Sequence, residues 1–475
     1  MKILFIVDLK QYSGIKPMGI MYLSAVLKRA GHNTQAIDVS DRDLYKQAKE
    51  YSPDFFAYSV TSGSEDMFRD INVKLKSIVP YALSIFGGPH ITFFPEFIYE
   101  KEVDIICLGE GELAFAELCA AAQRKQDFYG VKNLWFKKGT EIIKNQCRAL
   151  TPLNELTPPD RELFKNTSPS ILNFVEYAMA SRGCPYNCSY CFNKKYKEIY
   201  NQKKFFHNVA SVDLVIDDLK NILKYNKDIQ VIDFEDDVFP YDKKWLTEFS
   251  DRYKKEINLP FSINLNPFLV KEENIILLKK IGLDTVKIAV ESGNEIVRNT
   301  IFNRNMSESK IIEACKIITG NGIFLITQNI LGNPVENSLQ DVIETIDLNC
   351  RIKPGYAWAS LLNPYYGTDV WNYCREHRYI SDDIKFPKTY HLGSPLILNN
   401  KKDIIKLYEL FSIIVRYPFL KKYIFVLRKM PFTKLYAISR KLFKAYVYFR
   451  YRYKLKIRIE DVFRMGFNYM FQKGG

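Results

Sequence analysis

The chain has 475 residues, of which 47% are hydrophobic and 26% charged, and its formal net charge is +14. This composition excludes a disordered or collagen-like chain, and the length allows about three globular domains. No uninterrupted apolar run approaches the length that spans a bilayer. The N-terminus is typical of a buried strand and not of a signal peptide, so we expect a reducing, cytoplasmic environment.

Residues 1 to about 150 alternate short apolar runs with amphipathic stretches, a pattern typical of a parallel sheet wrapped by helices. A helix is predicted between the first two strands, where Pro17 opens it and Gly31 closes it. We therefore predict a doubly wound, flavodoxin-like domain over residues 1–150. Its strands are predicted at Ile3–Asp8, Thr34–Val39, Phe55–Val60, Leu83–Gly87 and Asp104–Leu108.

The later strands of this domain end in small, polar or glycine-rich turns. In a doubly wound sheet a ligand lies beyond the carboxyl ends of the strands, and glycine lets a large flat ligand approach the backbone. No G-x-G-x-x-G follows the first strand, which disfavours a dinucleotide. The candidate ligand contacts in these turns are Ser59, Thr61, Ser62, Gly87, Gly88, Pro89, Gly109, Glu110 and Gly111.

A polar, proline-bearing linker is predicted at 151–172, and it contains the segment Pro159-Asp160-Arg161. Residues 173–387 then alternate apolar runs with helical periodicity, which predicts six β/α repeats in a partial barrel. The loops after the carboxyl ends of its strands should carry the active site. These strands are predicted at Glu176–Ala180, Gln230–Phe234, Phe261–Leu265, Thr285–Val290, Phe324–Leu331 and Tyr356–Leu362.

The loop after the first barrel strand carries three cysteines, Cys184, Cys188 and Cys191, in the spacing C-x3-C-x2-C. Three thiolates on one tight loop suit three corners of a [4Fe-4S] cubane and leave the fourth iron without a protein ligand. A structural zinc site is the alternative. Zinc usually takes two C-x2-C pairs or a Cys/His quartet, and the chain has no second cysteine pair.

This loop, with Gly183 before it and Tyr190 before its last cysteine, resembles the radical S-adenosylmethionine (SAM) superfamily. The resemblance implies that the open iron chelates SAM and that an electron from the cluster cleaves SAM to a 5'-deoxyadenosyl radical. Turns after the second, fourth and fifth barrel strands resemble further motifs of that family, although each acidic turn alone is also compatible with a helix N-cap. The SAM contacts that the resemblance implies are Tyr190, Glu235, Asp236, Glu291, Ser292 and Gly332.

The turns of the N-terminal domain and the order of the two domains are similar to the cobalamin-binding branch of the radical SAM enzymes. The resemblance implies that the nine turn residues named above contact cobalamin. The D-x-H-x-x-G motif, which supplies a histidine to cobalt in other cobalamin proteins, is absent because residues 8–14 contain no His. The lower ligand of cobalt therefore stays unassigned, and a domain that keeps this fold without the cofactor is the alternative.

The C-terminal region, residues 388–475, is predicted to be helical, basic and aromatic. Residues 401–475 contain 19 Lys and Arg against 4 Asp and Glu, a net charge of +15, so the rest of the chain is nearly neutral. A local excess of charge indicates a surface with a particular role. Three interpretations stay open: a helical cap on the barrel, peripheral contact with an anionic membrane and, less favoured, binding of nucleic acid.

Taken together, the resemblance implies a cobalamin-dependent radical SAM methyltransferase that methylates an unactivated carbon. The implied cofactors are a [4Fe-4S] cluster, SAM and cobalamin. The implied partners are a small or lipid-like substrate and an electron donor of the flavodoxin or ferredoxin type. Two alternatives stay open: an oxidative cyclase or ring-rearranging enzyme with the same cofactors, and a metal-stabilised adaptor on a membrane or RNA that is not an enzyme.

Overall fold

The structure is a computed structural model, and it describes residues 1–9, 16–165, 174–200, 206–381, 384, 386–387 and 393–452. Three predictions fall partly outside the described residues. They are the segment 8–14 without a cobalt-binding histidine, the boundary between linker and barrel at 172, and the end of the basic region after 452.

The first sheet is doubly wound. Its strand order is 2-1-3-4-5-6-7, and the first five strands pair in parallel, which confirms the flavodoxin-like prediction. The last two strands form an antiparallel hairpin at the edge, which the sequence analysis missed. In chain order the strands are β1 (Lys2–Val7), β2 (Asn33–Asp38), β3 (Phe55–Ser59), β4 (Leu83–Gly87), β5 (Ile105–Cys107), β6 (Leu134–Lys138) and β7 (Glu141–Lys144).

Helices cover both faces of this sheet, so its parallel strands are apolar on both sides. Phe55 packs edge-on against Phe115 on one face, with ring centroids 5.6 Å apart. The next residue, Phe56, joins the core on the opposite face with Phe68 and Phe86. The helices are α1 (Met18–Arg29), α2 (Leu44–Tyr51), α3 (Glu65–Ile78), α4 (Pro89–Phe93) and α5 (Glu112–Gln123).

The second sheet has six parallel strands, which confirms the predicted partial barrel. Its order is β15-β14-β13-β12-β11-β8, and a short antiparallel pair, β9 with β10, stands apart from it. The strands are β8 (Val175–Ala178), β9 (Ser181–Arg182), β10 (Asn208–Val209), β11 (Val231–Phe234), β12 (Phe261–Leu265), β13 (Leu283–Glu291), β14 (Phe324–Leu331) and β15 (Tyr356–Leu361).

Capping side chains fix where several barrel helices begin. At each of these N-caps a side-chain oxygen accepts a backbone N–H of the first turn, and such a cap contributes about 1 kcal/mol. The caps are Ser211, Asp242, Ser307, Asn337 and Thr368. The helices of this region are α6 (Phe192–Ile199), α7 (Val212–Tyr225), α8 (Lys243–Glu256), α9 (Glu272–Lys280), α10 (Glu308–Gly320), α11 (Ser338–Ile352) and α12 (Asp369–Glu376).

In its described residues, the C-terminal region contains three further α-helices, α13 (Lys401–Arg416), α14 (Ile424–Leu427) and α15 (Thr433–Val447). The inner face of α13 packs on the barrel through Leu407, Phe411 and Ile414, which share a core with β15 and α11. This helix is therefore a cap on the barrel, as one of the three interpretations predicted. Among the residues that the structure describes, no helix has both the length and the apolar character that crossing a membrane requires.

The segment Pro159-Asp160-Arg161 joins the first sheet to the barrel. The backbone N–H of Asp160 donates to the carbonyl oxygen of Met21 in α1 at 3.0 Å. Arg161 is buried and donates from Nε and Nη2 to the two carboxylate oxygens of Asp218 in α7, at 2.8 and 2.6 Å. A bidentate pair of this kind is strong because it makes two parallel charge-assisted hydrogen bonds, which offset the cost of taking both charges out of water.

Replacing Arg161 with Met should lower the free energy of unfolding by about 3–5 kcal/mol, because Asp218 is then a buried charge without its partner. Urea denaturation of the apo protein measures the loss. The double variant Arg161→Met/Asp218→Leu should regain most of it. An equal loss in the single and double variants would show that the ion pair is not the cause.

Candidate active site

The cysteine loop begins directly after β9, at the carboxyl end of the first barrel strand. Gly183 has φ +83°, and a Cβ there would lie 2.2 Å from the ring of Phe206, so only glycine fits. Burial raises the pKa of the Asp237 carboxyl, in the turn after β11, while the nearby backbone N–H of Gly183 and the side chain of Asn193 oppose the rise. Asp237 therefore lies close to the loop on both sides of its cysteines.

Donors and cations surround the three thiols. Asn193 Nδ2 lies 3.5 Å from Cys191 Sγ, and Arg304 Nη1 lies 4.0 Å from Cys188 Sγ. Lys197 Nζ donates to the carbonyl oxygen of Tyr186 at 2.8 Å and to Asn187 Oδ1 at 2.9 Å, within the loop. Positive charge and N–H donors suit the negative charge of bound thiolates.

Burial raises the pKa of Cys184 to about 11 and also raises the pKa of Cys191. Thiols so buried ionise only when a metal replaces the proton. The described residues include no group of three or more His, Cys, Asp and Glu arranged around a single ion. A cubane does not require that arrangement, because its three thiolates bind three different irons. The donor set therefore fits a cluster of this type.

A buried polar group stands beside Cys188. Tyr190 OH donates to Glu291 Oε1 at 2.7 Å, and Arg304 Nη1 donates to Tyr190 OH at 2.8 Å. Glu291, the last residue of β13, has φ +66°. Residues other than glycine rarely adopt this backbone conformation, and those that do are often found at functional sites. Burial raises the pKa of Glu291, and Arg304 opposes the rise. The structure thus brings Tyr190 and Glu291, two of the predicted SAM contacts, together beside the cysteine loop.

Arg304 was missed by the sequence analysis. It lies in a polar loop between two helical segments, and its Nη2 also donates to the carbonyl oxygen of Ala289 in β13 at 2.8 Å. Its only sequence signal is a cationic residue in the loop that follows the Glu291 turn, which is too common a feature to single out.

The other two acids of the predicted SAM set have different partners. Glu235 Oε1, at the barrel mouth, accepts from Lys287 Nζ at 2.6 Å, and Lys287 also donates to Asp233 at 2.8 Å. Asp236 Oδ1 accepts from the N–H of Ala180 at 3.0 Å and from Ser181 Oγ at 2.5 Å. Asp236 therefore fixes the chain that leads into the cysteine loop, and its role toward SAM stays a prediction.

Ser292 and Gly332 lie in packed surroundings. Ser292 is fully buried and donates to Asp341 Oδ1 at 2.6 Å, and Asn333 donates to the other oxygen of Asp341 at 2.8 Å. A Cβ on Gly332 would lie 3.4 Å from the side chain of Leu398. These two residues join the turns after β13 and β14 to neighbouring helices, and their predicted contact with SAM stays a prediction.

Asp236 makes the stability of the fold depend on pH. Burial raises the pKa of Asp236 to about 7, and its Oδ2 is buried without a hydrogen-bond partner among the described residues. A carboxyl whose folded pKa exceeds its unfolded pKa favours folding below the unfolded value, and this contribution is lost as the pH rises to the folded pKa.

The Asp236→Asn variant should therefore become more stable relative to the wild type between pH 5 and pH 8, by about 2–3 kcal/mol. The Asn Oδ1 keeps both hydrogen bonds without the charge. Urea denaturation of the apo proteins at the two pH values tests this expectation, with Asp228→Asn, at an exposed turn, as the control. A constant difference between variant and wild type across this range would contradict it.

The nine predicted cobalamin contacts lie at the carboxyl edge of the first sheet. Ser59 and Gly87 pair in register at the ends of β3 and β4, and the N–H of Val60 donates to the carbonyl oxygen of Gly87 at 2.8 Å. Gly88 has φ +96°, and a Cβ there would lie 2.7 Å from Val60 backbone atoms. Ser62 Oγ bonds His90 Nδ1 at 3.0 Å. The turns form one glycine-lined edge at the carboxyl ends of the strands, which is where a doubly wound sheet binds its ligand.

This edge faces the cysteine loop. Tyr200, the residue after α6, accepts the backbone N–H of Glu110 through its hydroxyl at 2.7 Å. A Cβ on Gly109 would lie 2.1 Å from the same hydroxyl oxygen. Aromatic side chains also meet across the two sheets, since the rings of Phe94 and Tyr366 are 4.0 Å apart. A ligand at the edge of the first sheet therefore lies against the mouth of the barrel.

Arg182, in β9, forms ion pairs with two glutamates of the N-terminal domain. Its Nη1 donates to Glu110 Oε1 at 3.1 Å and its Nη2 to Glu112 Oε1 at 2.7 Å, and its guanidinium lies 4.6 Å from the centroid of the Tyr22 ring. The side chain of Glu110 is thus engaged by the barrel, and its predicted contact with cobalamin stays a prediction. Sequence analysis missed Arg182, although it stands two residues before Cys184.

Comparison with known proteins gives two domain matches along the chain. The model of the radical SAM superfamily matches residues 179–348, and the model of the B12 binding domain matches residues 6–119. The first match contains the cysteine loop and the strands β11 to β14, and the second contains the glycine-lined edge.

Two curated relatives span most of the chain. It is 28% identical to an uncharacterized methyltransferase of Pyrococcus horikoshii, over 75% of this chain and 78% of the relative. It is 25% identical to an anaerobic magnesium-protoporphyrin IX monomethyl ester cyclase of Cereibacter sphaeroides, over 78% of this chain and 62% of the relative. Among solved structures, it resembles the cobalamin-dependent S-adenosylmethionine radical enzyme OxsB with aqua-cobalamin bound, with a TM-score of 0.71 and 17% sequence identity. The match covers 100% of this chain and 76% of the other.

Proposed function

Because the chain belongs to the radical SAM enzymes that carry an N-terminal B12-binding domain, we propose that it methylates an unactivated carbon of a small or amphiphilic substrate. One observation carries this proposal. The glycine-lined edge of the first sheet faces the cysteine loop, and Tyr200 and Arg182 hold the two together. A methyl carrier at that edge lies beside the place where a substrate radical would form.

The family implies a [4Fe-4S] cluster, SAM and cobalamin as cofactors. When bound, they supply an electron, a carbon radical and a methyl group. Cys184, Cys188 and Cys191 would hold the cluster. Tyr190, Glu235, Asp236, Glu291, Ser292 and Gly332 are the proposed contacts of SAM. The nine residues from Ser59 to Gly111 named above are the proposed contacts of cobalamin.

The chain's own residues prepare this site. Gly183 sets the turn into the cysteine loop, and Asp237 lies close to the loop at Gly183 and Asn193. Arg304 keeps a positive charge near Cys188 and holds Tyr190 against Glu291, so these groups are oriented before any ligand arrives. The contacts of Tyr200 and Arg182 bring the edge against the barrel mouth, which would help to keep water from a reactive centre between them.

The same proposal includes partners, location and domain limits. We propose an electron donor of the flavodoxin or ferredoxin type, a cytoplasmic location, and peripheral membrane contact through residues 401–475. The proposed domains are a cobalamin-binding domain at 1–150, a linker at 151–172, a radical SAM barrel at 173–387 and a C-terminal region at 388–475. The charge of +15 in residues 401–475 supports the membrane contact.

An experiment with methyl-labelled SAM tests the proposal. The full chain is reconstituted without oxygen with iron, sulfide and cobalamin, a strong reductant is added, and 5'-deoxyadenosine and cobalamin are analysed. We expect 5'-deoxyadenosine together with labelled methylcobalamin. If the preparation binds iron yet forms neither compound, the proposal is wrong.

Cyclisation or ring rearrangement without methyl transfer is a second candidate, and the likeness to the Cereibacter cyclase favours it. Both reactions begin with removal of hydrogen by the same radical. The label separates them, because a cyclase forms 5'-deoxyadenosine while the labelled methyl group stays off cobalamin.

A further inference from the structure

The C-terminal helices expose an unusual amount of apolar surface. Of the twenty exposed large apolar side chains in the part of the chain that the structure describes, eleven lie in residues 417–446. Phe425 is 64% exposed, Phe419 62% and Leu435 58%. Scattered apolar residues are normal on a protein surface, but a concentration of this kind marks an interaction site. We call the exposed side chains of residues 417–446 the tail surface.

Helix α15 carries an outward apolar stripe. Leu435, Ile438, Leu442 and Tyr446 are all more than half exposed, and their spacing of three, four and four residues places them along one side of the helix. Tyr446 also contacts Tyr451 through its ring and its hydroxyl. Leu435, Ile438 and Leu442 face outward, so in the part of the chain that the structure describes these three side chains are available to a partner.

Another side of α15 makes the contacts with the protein. Arg440 Nε donates to Glu409 of α13 at 2.6 Å, and Tyr436 and Val447 are buried. Val447 shares a small core with Ile326 and Tyr356 of the barrel. The helix is therefore fixed in orientation, and its outward stripe is a stable feature of the fold.

The charged residues of the tail surface are all basic. Residues 417–446 contain eight Lys and Arg and no Asp or Glu. Four of the eight have acidic partners elsewhere: Lys421 with Asp347, Arg428 and Lys429 with Asp403, and Arg440 with Glu409. Of the other four, Lys444 lies over the ring of Tyr448, 5.3 Å from its centroid. Lys422, Lys434 and Lys441 are left to face solvent or a partner.

We infer that the tail surface docks on an anionic bilayer, with the α15 stripe in the headgroup boundary and Lys422, Lys434 and Lys441 among the headgroups. This inference rests on the membrane contact in the proposed function and refines it, since it assigns docking to residues 417–446 while α13 stays packed on the barrel. Lipid chains accept aliphatic and aromatic side chains alike. RNA stacks on aromatic rings and gains little from Leu435, Ile438 and Leu442. A second copy would bring two basic surfaces together, which repel each other.

Docking at this surface also connects the bilayer to the barrel. Beyond α15 the chain continues into the turn Tyr448–Arg452, and Arg452 forms a buried ion pair with Asp233 of β11 inside the barrel. Tyr448 packs with Val175 and Val231 of the first two barrel strands. One continuous segment therefore reaches from the outward stripe to the barrel interior, which suits a substrate that comes from the membrane.

Vesicle sedimentation of the reconstituted full chain tests the inference. We expect the protein to sediment with phosphatidylcholine vesicles that contain about a third phosphatidylserine, to bind far less to pure phosphatidylcholine, and to be released by high salt. The triple variant Lys422→Gln/Lys434→Gln/Lys441→Gln should bind roughly 100-fold more weakly, from about fivefold for each charge. The variant Leu435→Ser/Ile438→Ser/Leu442→Ser should lose at least as much.

The controls change exposed apolar and cationic side chains of the N-terminal domain, away from the tail surface. Tyr81→Ser/Tyr99→Ser removes two side chains that are also more than 60% exposed, and Lys74→Gln/Lys101→Gln/Lys125→Gln removes three exposed charges. Both should sediment like the wild type. Iron and cobalamin contents equal to those of the wild type show that each variant is folded.

Four results would overturn the inference: equal binding to neutral vesicles, full binding by the α15 stripe variant, binding to RNA in place of vesicles, or a dimer that the stripe variant abolishes. Formation of 5'-deoxyadenosine is measured on the same preparations. A wild type that sediments but forms none leaves docking intact and refutes the proposed chemistry. A wild type that forms it but never sediments refutes docking alone.

Discussion

Replacing Cys188 with Ala should abolish formation of 5'-deoxyadenosine, a fall of at least roughly 1,000-fold, because the remaining two cysteines cannot hold a cluster with one open iron. The reconstituted variant should also lose the iron content and the broad visible absorbance of the wild type. The test measures the iron content and the visible absorbance of each protein, and then the 5'-deoxyadenosine that forms after a strong reductant is added.

Cys350→Ala is the matched control, since Cys350 lies on α11, outside the cysteine loop, and is only partly buried. It should keep iron and activity. Retained activity in Cys188→Ala, or zinc in place of iron in the wild type, would show that the loop serves a structural purpose and that the radical chemistry is wrongly assigned.

Most parallel strands of both sheets could be predicted because they are buried on both faces and so appear as apolar runs, although the edge strand β2 has only one buried residue. The observed β4, β12 and β14 have the predicted bounds. The hairpin of β6 and β7 was missed because β7 has only four residues, of which Ile142 and Ile143 are apolar and partly buried, and so short a run does not predict a strand. The pair of β9 and β10 was missed because each strand has two residues.

The candidate site was predictable where its residues lie close together in sequence. The three cysteines and Gly183 occupy one loop, so their spacing carries the chemistry. Arg304 meets Tyr190 across 114 residues and Arg182 meets Glu110 across 72, and no spacing rule connects such pairs. The barrel and the domain interface create these contacts.

The basic C-terminal region, residues 401–475, was also predictable only in part. Its composition allowed a cap, a membrane surface or a nucleic-acid surface, because charge and aromatic content alone do not tell which side of a helix faces the protein. The structure shows that two of its helices pack differently. The apolar face of α13 is buried on the barrel, whereas the α15 stripe of Leu435, Ile438 and Leu442 faces outward. Periodicity predicted amphipathic helices, but not which apolar side chains stay exposed.

Replacing Arg182 with Met should destabilise the contact between the B12-binding domain and the barrel by about 3–5 kcal/mol, because two carboxylates, Glu110 and Glu112, stay buried without their cation. Burial raises the pKa of Glu110, and Arg182 opposes that rise. Without Arg182 the pKa of Glu110 rises further. A raised folded pKa loses its contribution to stability as the pH rises, so the defect should be larger at pH 8 than at pH 5.

Urea denaturation at the two pH values measures the loss, and gel filtration after cobalamin loading shows whether the cofactor is retained. Arg69→Met is the control, since Arg69 also pairs with several carboxylates but at the protein surface, where the loss should stay below about 1 kcal/mol. The triple variant Arg182→Met/Glu110→Gln/Glu112→Gln should regain most of the stability, because no charge is then left buried. If Arg182→Met is no less stable than Arg69→Met, the buried ion pair does not hold the glycine-lined edge against the cysteine loop.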